Sequence, residues 1–250
     1  MELVSVIMPC YNSERFVAES INSVLKQSYS NWELIVVDDC STDMTASILE
    51  EFSSKDSRIK LYRNSDNSGA AVTRNAAIEM ASGKYVAFLD SDDIWNENKL
   101  KVQIEFMRNK DINFSFTSYS TISEDGVIGT NVIDANSMGT VGYNDMLSKR
   151  ATIGCSTVVI KKRIIGSKRM PLIRTGQDYA FWLSILKDGE SATCLKTVLT
   201  YYRIVNGSIS SNKLKKAKRQ WQIYREIEGL SFSIALFHFA NYGYRAIFRK

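Results

Sequence analysis

Clusters of carboxylates follow two apolar runs in the first hundred residues. Asp38-Asp39 follows the run at 34–37, and Asp90-Ser91-Asp92-Asp93 follows the run at 85–89. Ionised carboxylates repel one another, so several of them in one crevice usually require a cation. The only histidine, His238, is distant in sequence, which leaves oxygen ligands and favours Mg²⁺ or Mn²⁺. Such an ion commonly bridges protein carboxylates to a diphosphate.

Strand and helix patterns alternate over the same region and would position these carboxylates. Short apolar runs predict buried strands at 4–8, 34–37, 59–62 and 85–89. Apolar residues at helical spacing predict helices at 16–25, 45–52 and 72–80. This alternation predicts a mostly parallel sheet, which binds ligands beyond the carboxyl ends of its strands. The segments that follow the first, second and fourth strands should therefore meet in one crevice.

The patterns weaken after about residue 100. Apolar spacing predicts helices at 100–107 and 178–186, and strands at 114–119, 156–160 and 199–203. The region 120–155 is rich in Gly, Asn and Ser and predicts long loops. Residues 212–248 predict one or two terminal helices.

Composition argues against several classes of protein. The chain has 250 residues, a net charge of +5 and four scattered cysteines without a C-x-x-C pair, which fits a reducing cytoplasm. Its first residues lack the pattern of a secretory signal. One histidine excludes a zinc site built on several histidines, and a Ser-His-Asp triad would have to use His238. Neither a G-x-G-x-x-G after the first strand nor a P-loop motif is present, so dinucleotide and P-loop chemistry lack support.

Four ordered segments make the sequence similar to the family 2 glycosyltransferases. They are 5–12 (SVIMPCYN), 32–43 (WELIVVDDCSTD), 67–75 (NSGAAVTRN) and 88–93 (FLDSDD). The resemblance implies an α/β fold of the GT-A type, which is a Rossmann-like mixed sheet with helices on both faces, here with a C-terminal helical extension. It also implies a nucleotide-sugar-binding half at 1–100, an acceptor-binding half with the catalytic base at 101–211, and a tail at 212–250.

The same resemblance implies a set of donor-binding residues at the strand ends. They are Pro9, Tyr11, Asn12, Glu14, Asp39, Arg74, Asp90 and Ser91. Pro9, Tyr11 and Asn12 would line the nucleoside pocket with Glu14 close by, and Asp39 would bind the uracil edge. Arg74 would lie near the nucleotide or diphosphate, Asp90 would face the ribose, and Asp92 would hold Mn²⁺ or Mg²⁺. Taken singly, each also has a structural alternative: Pro9 could end a strand, Tyr11 could pack in the core, and Arg74 could be a solvated helix residue.

A second motif in the acceptor half supplies a candidate base. The segment 175–183 (TGQDYAFWL) resembles the family's Glu-Asp pair, with Gln177 in place of the usual Glu and Asp178 as the implied base. The alternative role of Asp178 is a helix N-cap. Segments 201–203 (YYR) and 206–210 (NGSIS) resemble the part of the family that closes over the donor. Arg203 would there contact phosphate or form a surface charge at a strand end.

The C-terminal tail combines basic and aromatic residues. Residues 213–225 carry a run of Lys and Arg, and 230–248 are rich in Leu, Ile, Phe and Tyr. This combination predicts contact with a membrane surface, and the alternative is a helix that packs on the domain. No recognition module for nucleic acid accompanies the charge. The tail also resembles bacterial enzymes of cell-surface polysaccharide synthesis, which implies a peripheral position on the cytoplasmic face of the membrane.

The resulting hypothesis is a metal-dependent, inverting glycosyltransferase of the hexosyltransferase class. It would transfer a sugar from a nucleotide-diphosphate donor, a UDP-sugar, to a hydroxyl of a glycan or a polyprenyl-diphosphate-linked acceptor. One alternative is a nucleotidyltransferase, which usually needs a Gly-rich basic loop where this chain has 11–14 (YNSE). The other is a non-catalytic protein that binds nucleotide sugars or glycans, against which the presence of Asp92 and Asp178 argues.

Overall fold

A computed structural model of the protein describes residues 1–205 and 213–248. The strands in these residues are β1 (Val4–Cys10), β2 (Trp32–Asp38), β3 (Ile59–Arg63), β4 (Tyr85–Phe88), β5 (Ile94–Trp95), β6 (Phe114–Ser123), β7 (Ile128–Ile133), β8 (Thr140–Val141), β9 (Val159–Lys161) and β10 (Ala192–Ile204). The helices are α1 (Val17–Leu25), α2 (Thr45–Lys55), α3 (Ala70–Met80), α4 (Lys99–Asn109), α5 (Tyr143–Leu147), α6 (Lys162–Ile165), α7 (Gln177–Leu186), α8 (Lys213–Gln222) and α9 (Phe232–Phe248). The strands and helices predicted in the first hundred residues are all present.

All of these strands belong to one mixed sheet. Eight of them follow the order β3-β2-β1-β4-β9-β6-β10-β5, while β7 pairs with β6 and β8 pairs with β10. The first half contributes a parallel block, in which β1 pairs with both β2 and β4 and β2 pairs with β3. The antiparallel strand β9 joins this block to the parallel pair β6 and β10. The chain leaves β1 toward β2 and β3 and returns to its other side at β4. The crevice at such a reversal is the usual ligand site of an open α/β sheet.

Helices cover both faces of the sheet because residues in the central strands alternate between two cores. In β1, Val4, Val6 and Met8 pack in one core, whereas Ile7 packs in the other. The helices α1, α2 and α4 contribute to the first core, and α3, α5, α7 and α9 contribute to the second. Alternate side chains of each strand point to opposite faces, which gives the sheet a core on each side. The predicted mixed sheet with helices on both faces is therefore confirmed.

The region 120–155, predicted to include long loops, has loops at 134–139 and 148–154 but is otherwise mostly regular. This region contains the end of β6, all of β7 and β8, and helix α5. Strand β7 pairs antiparallel with β6 and is mostly exposed along its length. Its sequence therefore shows no alternation of apolar and polar residues. The strand forms because it pairs with β6, which a local sequence pattern does not reveal.

Two further boundaries differ from the sequence prediction. The strand predicted at 156–160 is β9 at Val159–Lys161, preceded by a 3-10 turn at Cys155–Thr157. The strand predicted at 199–203 is the end of the longer β10, whose polar first part pairs with β6 through irregular registers. The division near residue 100 remains a prediction, and strands from both sides of it pair in the same sheet.

The C-terminal segment, predicted to form one or two helices, forms two, α8 and α9, joined by a π-helical turn at Ile223–Ile227. The turn is anchored by Tyr224, which is buried and donates its hydroxyl hydrogen to the Leu147 carbonyl of α5. In α9, His238 is buried and its Nδ1 lies 3.0 Å from the Ser148 hydroxyl. The single histidine is therefore a packing residue of α9. No helix within 1–205 or 213–248 is long and apolar enough to cross a membrane.

Candidate functional site

The loops that follow β1, β2 and β4 converge at the carboxyl edge of the parallel block. The Asn12 backbone N–H donates to Ser41 Oγ at 3.0 Å, and the Thr42 N–H donates to Asn12 Oδ1 at 2.9 Å. The hydroxyls of Ser13 and Ser91 are 2.7 Å apart, which joins the first loop to the acidic one. The structure therefore brings together the three segments that were predicted to meet, those that follow β1, β2 and β4.

Two non-glycine residues in these loops have left-handed backbone conformations. Asn12 has φ = 47° and Cys40 has φ = 61°. Such conformations cost of order 1–3 kcal/mol, and they cluster at functional sites, where surrounding contacts hold them. The hydrogen bonds of Asn12 to the second loop provide such contacts on one side of the crevice.

The remaining residues of the first loop differ in their surroundings. Pro9 lies within β1 and pairs with Val37 of β2, so it extends the strand up to the crevice. The side chain of Tyr11 is 48% exposed and does not pack in the core. Glu14 accepts a hydrogen bond from the Met44 N–H at 2.8 Å, and its own N–H donates to Asp43 at 3.2 Å. Glu14 thus ties the first loop to the start of α2.

Asp39 is buried and accepts three hydrogen bonds. They come from Asn64 Nδ2 at 2.7 Å, from the Ser68 N–H at 3.0 Å and from the Gly69 N–H at 2.8 Å. Gly69 has φ = 87°, a conformation that glycine adopts without the steric cost of a side chain. The Asp39 carboxylate therefore fixes the turn that leads into α3, the helix that carries Arg74.

Arg74 connects the acidic loop to the candidate base. Its Nη2 lies 2.5 Å from Asp90 Oδ1, and its Nε is buried without a hydrogen-bond partner among the described residues. Burial opposes the charge of Arg74, but Asp90, Cys155 and Asp178 together outweigh it and raise the pKa of the guanidinium above its ordinary value. Arg74 is thus a buried cation that is paired with the acidic loop and feels the charge of Asp178, so it is not a solvated helix residue.

Asp178 lies in the first turn of α7 and is partly buried. Gly176 is the N-cap of this helix, so the alternative role of Asp178 as N-cap is wrong. None of the described residues donates a hydrogen bond to the Asp178 carboxylate. Its oxygens therefore remain available to accept a proton or a hydrogen bond from a bound molecule.

The acidic loop carries more negative charge than its surroundings balance. Burial, and next the charge of Asp90, raise the pKa of Asp92 to about 6. Burial, and next the charges of Asp92 and Asp90, raise the pKa of Asp93 well above its usual value. A cation bound beside these carboxylates would reverse both shifts, because an opposite charge favours the ionised form.

The donor set at this loop suits a hard cation but is incomplete. Asp90 is paired with Arg74 and Asp93 is hydrogen-bonded, which leaves Asp92 as the available carboxylate. In the described parts of the chain, no three His, Cys, Asp or Glu side chains are grouped so as to hold a metal ion by themselves. A cation held by Asp92 would therefore take its other ligands from water and from a bound phosphate.

Ser156 is a site residue that the sequence analysis missed. Its hydroxyl donates to Asp93 Oδ2 at 2.5 Å and accepts from the Asp90 N–H at 3.0 Å. Its carbonyl accepts from Trp95 Nε1 at 2.8 Å and from Thr200 Oγ1 at 3.2 Å. The acidic loop is therefore fastened to the 3-10 turn of the second half, 63 residues further along the chain than Asp93.

Arg203 fastens the same loop from β10. The Arg203 N–H donates to Asp93 Oδ1 at 2.9 Å, and Nε donates to the Asp92 carbonyl at 2.7 Å. Its two remaining nitrogens donate to Ser123 O at 3.1 Å and to Glu19 Oε2 at 2.5 Å. The residue is only 2% exposed, so the alternative of a surface charge is wrong. The segment 206–210, predicted to close over the donor, lies outside the described residues.

Comparison with known proteins finds glycosyltransferases of similar sequence. The profile of Glycosyl transferase family 2 matches residues 5–163. A Bacillus subtilis (strain 168) protein named Putative teichuronic acid biosynthesis glycosyltransferase TuaG is 48% identical over 248 residues, which are 99% of this chain and 97% of TuaG. Escherichia coli WfgD, named UDP-Glc:alpha-D-GlcNAc-diphosphoundecaprenol beta-1,3-glucosyltransferase, is 46% identical over 222 residues, which are 88% of this chain and 85% of WfgD.

A solved structure extends the likeness to three dimensions. S. aureus TarS 1-349 in complex with UDP-GlcNAc superimposes with a TM-score of 0.74 at 26% identity, over 91% of this chain and 65% of the TarS chain. This likeness confirms the GT-A fold. Because the family profile covers more than half of the chain and TuaG is nearly half identical over almost its whole length, the chain belongs to Glycosyl transferase family 2 and is a glycosyltransferase.

Proposed function

We propose that this enzyme transfers a hexose from a UDP-sugar to a hydroxyl of a polyprenyl-diphosphate-linked glycan, with inversion at the sugar C1 and with Mn²⁺ or Mg²⁺. The observation that carries the proposal is the position of Arg74. It is paired with Asp90 of the acidic loop and interacts electrostatically with Asp178. A donor diphosphate near Asp92 and an acceptor hydroxyl near Asp178 would therefore be close together.

The names of the relatives support the donor and acceptor classes. WfgD is named for a UDP-glucose donor and a diphosphoundecaprenol-linked acceptor, and TarS is described in complex with UDP-GlcNAc. TuaG is named for teichuronic acid biosynthesis, a role that fits a cell-surface polysaccharide. We extend these classes to the present chain, with residues 1–100 binding the donor and 101–211 binding the acceptor.

In the proposed donor site each loop has one task. Tyr11, whose ring is exposed, would stack on the uracil ring between Pro9 and Asn12, and Glu14 would hold this loop in place. Asp39 would accept from the uracil edge with the lone pairs that its three donors leave free. Asp90 would accept from the ribose hydroxyls, and Ser91 would lie beside them. Arg74 would direct its free Nε–H toward the diphosphate.

Asp178 would act as the catalytic base. It removes the proton from the acceptor hydroxyl as that oxygen forms a bond to C1, and the bond from C1 to the UDP oxygen breaks. Attack from the face opposite the diphosphate inverts C1 through an oxocarbenium-like transition state. Asp92 would hold the divalent cation, which neutralises charge on the leaving diphosphate. Gln177, buried beside Asp178, would contact the acceptor in place of the family's usual Glu.

The variant Asp178→Asn tests this function. We expect a fall in kcat of about 10²–10⁴-fold, the usual contribution of a general base, with UDP binding unchanged. The assay is transfer from UDP-glucose and UDP-GlcNAc to a GlcNAc-diphosphate-lipid in Mn²⁺, with the product anomer assigned by NMR. Asp125→Asn, an exposed position, is the matched control. Normal turnover by the Asp178 variant, or a product with retained configuration, would reject this mechanism.

We also propose that α9 contacts the cytoplasmic face of a membrane peripherally. Its outward face carries exposed apolar side chains, among them Phe232, Leu236, Phe237 and Tyr244. Exposed lysines of α8 lie nearby, because the two helices pack together. An apolar face beside basic residues fits the interface of an anionic bilayer.

Point variants suit this test better than deletion of the tail, because Tyr224 and His238 are buried in the domain. We expect wild-type protein to sediment with phosphatidylglycerol vesicles, less so at high salt. Leu236→Ser with Phe237→Ser should reduce sedimentation, whereas Val127→Ser with Leu172→Ser, which are exposed apolar residues elsewhere, should not. Equal sedimentation of both double variants would argue against the α9 contact.

A further inference from the structure

A cavity lies at the opposite end of β4 from the acidic loop. It has a volume of about 590 Å³, and its charged lining residues are Lys84, Lys161, Lys162, Arg163, Arg169 and Glu79. Lys84 immediately precedes β4, whereas Asp90 follows its carboxyl end. At about 3.3 Å per residue of extended chain, the cavity and Asp90 are roughly 20 Å apart. The cavity is thus separate from the proposed donor site.

Lys161 gives this cavity a buried cation. Its side chain is only 10% exposed, and its ammonium lies 2.7 Å from Asp111, whose side chain is 91% exposed. A buried ammonium requires a counter-charge, because removal from water is costly. The aspartate that provides it is held on the surface, where ion pairs are weak and screened. An anion that enters the cavity can therefore compete with Asp111 for Lys161.

The positive charges around the cavity outnumber the carboxylates. Glu2 pairs with Lys84, Glu79 pairs with Arg169, and Asp111 pairs with Lys161. The other two cations bond to neutral acceptors: Lys162 donates to the Ala81 carbonyl, and Arg163 Nη2 donates to Asn113 Oδ1 at 2.7 Å. Two positive charges are therefore left without a carboxylate partner in this group.

A phosphate monoester is the anion that matches this arrangement. It carries a charge of about −1.5 to −2 at pH 7 and three acceptor oxygens. Arg163 can present two parallel N–H groups to such oxygens, and the lysines provide compact charges beside them. A small neutral ligand would leave the cation excess uncompensated.

We propose that this cavity is a binding site for a dianionic phosphate group, presented either by a lipid headgroup or by a phosphate ion in solution. Lys161, Lys162 and Arg163 bind the phosphate, and Lys84 and Arg169, each paired with a glutamate, border the site. Because the cavity lies away from Asp90, phosphate bound there leaves the donor site accessible.

Calorimetric titration of the full chain with inorganic phosphate tests the site. Lys162→Gln with Arg163→Gln should weaken phosphate binding about tenfold or more, since two charge-assisted bonds are lost. Lys26→Gln with Lys101→Gln, which removes the same charge at exposed positions elsewhere, should leave binding as in the wild type. The single variant Arg163→Gln, at an exposed position, serves if the double variant unfolds at a lower temperature. All of these variants should keep wild-type UDP affinity.

Vesicles distinguish the two sources of phosphate. Phosphatidylcholine vesicles that contain phosphatidic acid present a monoester, and those with phosphatidylglycerol, matched for total charge, present a diester. A wild-type preference for phosphatidic acid that the Lys162/Arg163 variant loses assigns the site to a lipid headgroup. Phosphate binding without that preference assigns it to a soluble anion. The proposal is overturned if the Lys162/Arg163 variant and the wild type respond equally to both probes, or if the wild type responds to neither.

Discussion

Replacement of Ser156 by alanine would separate the acidic loop from the second half of the protein. The hydroxyl of Ser156 bridges the buried Asp93 carboxylate and the Asp90 N–H, at 2.5 and 3.0 Å. The substitution removes both hydrogen bonds and leaves the backbone contacts of Ser156 with Trp95 and Thr200 in place. The effect should therefore fall on the acidic loop and spare the rest of the 3-10 turn.

The expected loss follows from these two bonds. A hydrogen bond to a charged group contributes about 1.5–3 kcal/mol, and a neutral one contributes about 0.5–1.5 kcal/mol. We expect the free energy of unfolding to fall by about 2–4 kcal/mol, which lowers the Tm by roughly 4–16 °C in a chain of this size. Because the Asp90 N–H loses its anchor, we also expect UDP affinity to fall about tenfold, equivalent to about 1.4 kcal/mol.

Differential scanning calorimetry and UDP titration would measure the two effects on the same protein. Thr200→Val is the matched control, because it removes the 3.2 Å bond to the Ser156 carbonyl without touching either aspartate. It should cost about 0.5–1.5 kcal/mol of stability and leave UDP affinity unchanged. If Ser156→Ala keeps wild-type affinity for UDP, or if Thr200→Val lowers it equally, then the bridge does not position the acidic loop for the donor.

Three further substitutions probe Asp92 in the acidic loop, Arg203 behind it and the buried Lys99 of α4. Asp92→Asn should reduce kcat/KM by about 10²–10³-fold and raise the Mn²⁺ concentration needed for activity, and an unchanged Mn²⁺ requirement would remove Asp92 as the metal ligand. Arg203→Lys keeps the charge, but one ammonium cannot bond to all three acceptors of the Arg203 side chain, so the free energy of unfolding should fall by about 1–3 kcal/mol in chemical denaturation. Unchanged stability would show that the hydrogen bonds of Arg203 do not hold the acidic loop. Lys99 is fully buried, and desolvation lowers its pKa to about 7. Between about pH 7 and pH 10 the unfolded chain therefore binds more protons at Lys99 than the folded chain, so the free energy of unfolding rises with pH over this range. Lys99→Met should abolish that component of the pH dependence of Tm, and an identical pH profile would disprove the shift.

The first half could be predicted in detail because its information is local. Each parallel strand is a short apolar run, and its loop begins where the run ends, so the positions of Asp39 and Asp90 follow from counting along the chain. The sheet then places these loops at one edge by geometry. Asp178 could not be identified in this way, because one carboxylate at the start of a helix can have many roles. It was identified only because its segment resembles a family motif.

The contacts that hold the acidic loop could not be predicted because they join distant parts of the chain. Ser156 and Arg203 meet Asp93 across 63 and 110 residues. No motif marks Ser156, and the resemblance that marked segment 201–203 did not indicate a contact with Asp93. Arg203 was expected to contact phosphate or to form a surface charge, but pairing of β10 with β6 buries its side chain beneath the acidic loop. Long-range pairing in the second half thus decides what its isolated polar residues do.

These contacts also join the proposed donor and acceptor halves in the structure. Strand β4 pairs with β1 on one side and with β9 on the other, so the carboxyl end that carries the acidic loop is enclosed by both halves. The buried Asp93 accepts hydrogen bonds from Ser156 and Arg203, and Arg74 interacts electrostatically with Asp178 across the same boundary. Without the second half, Asp93 would lose both donors and Arg74 would lose one of its two carboxylate neighbours. The boundary near residue 100 therefore separates proposed tasks in catalysis, while the acidic loop itself depends on residues from both sides.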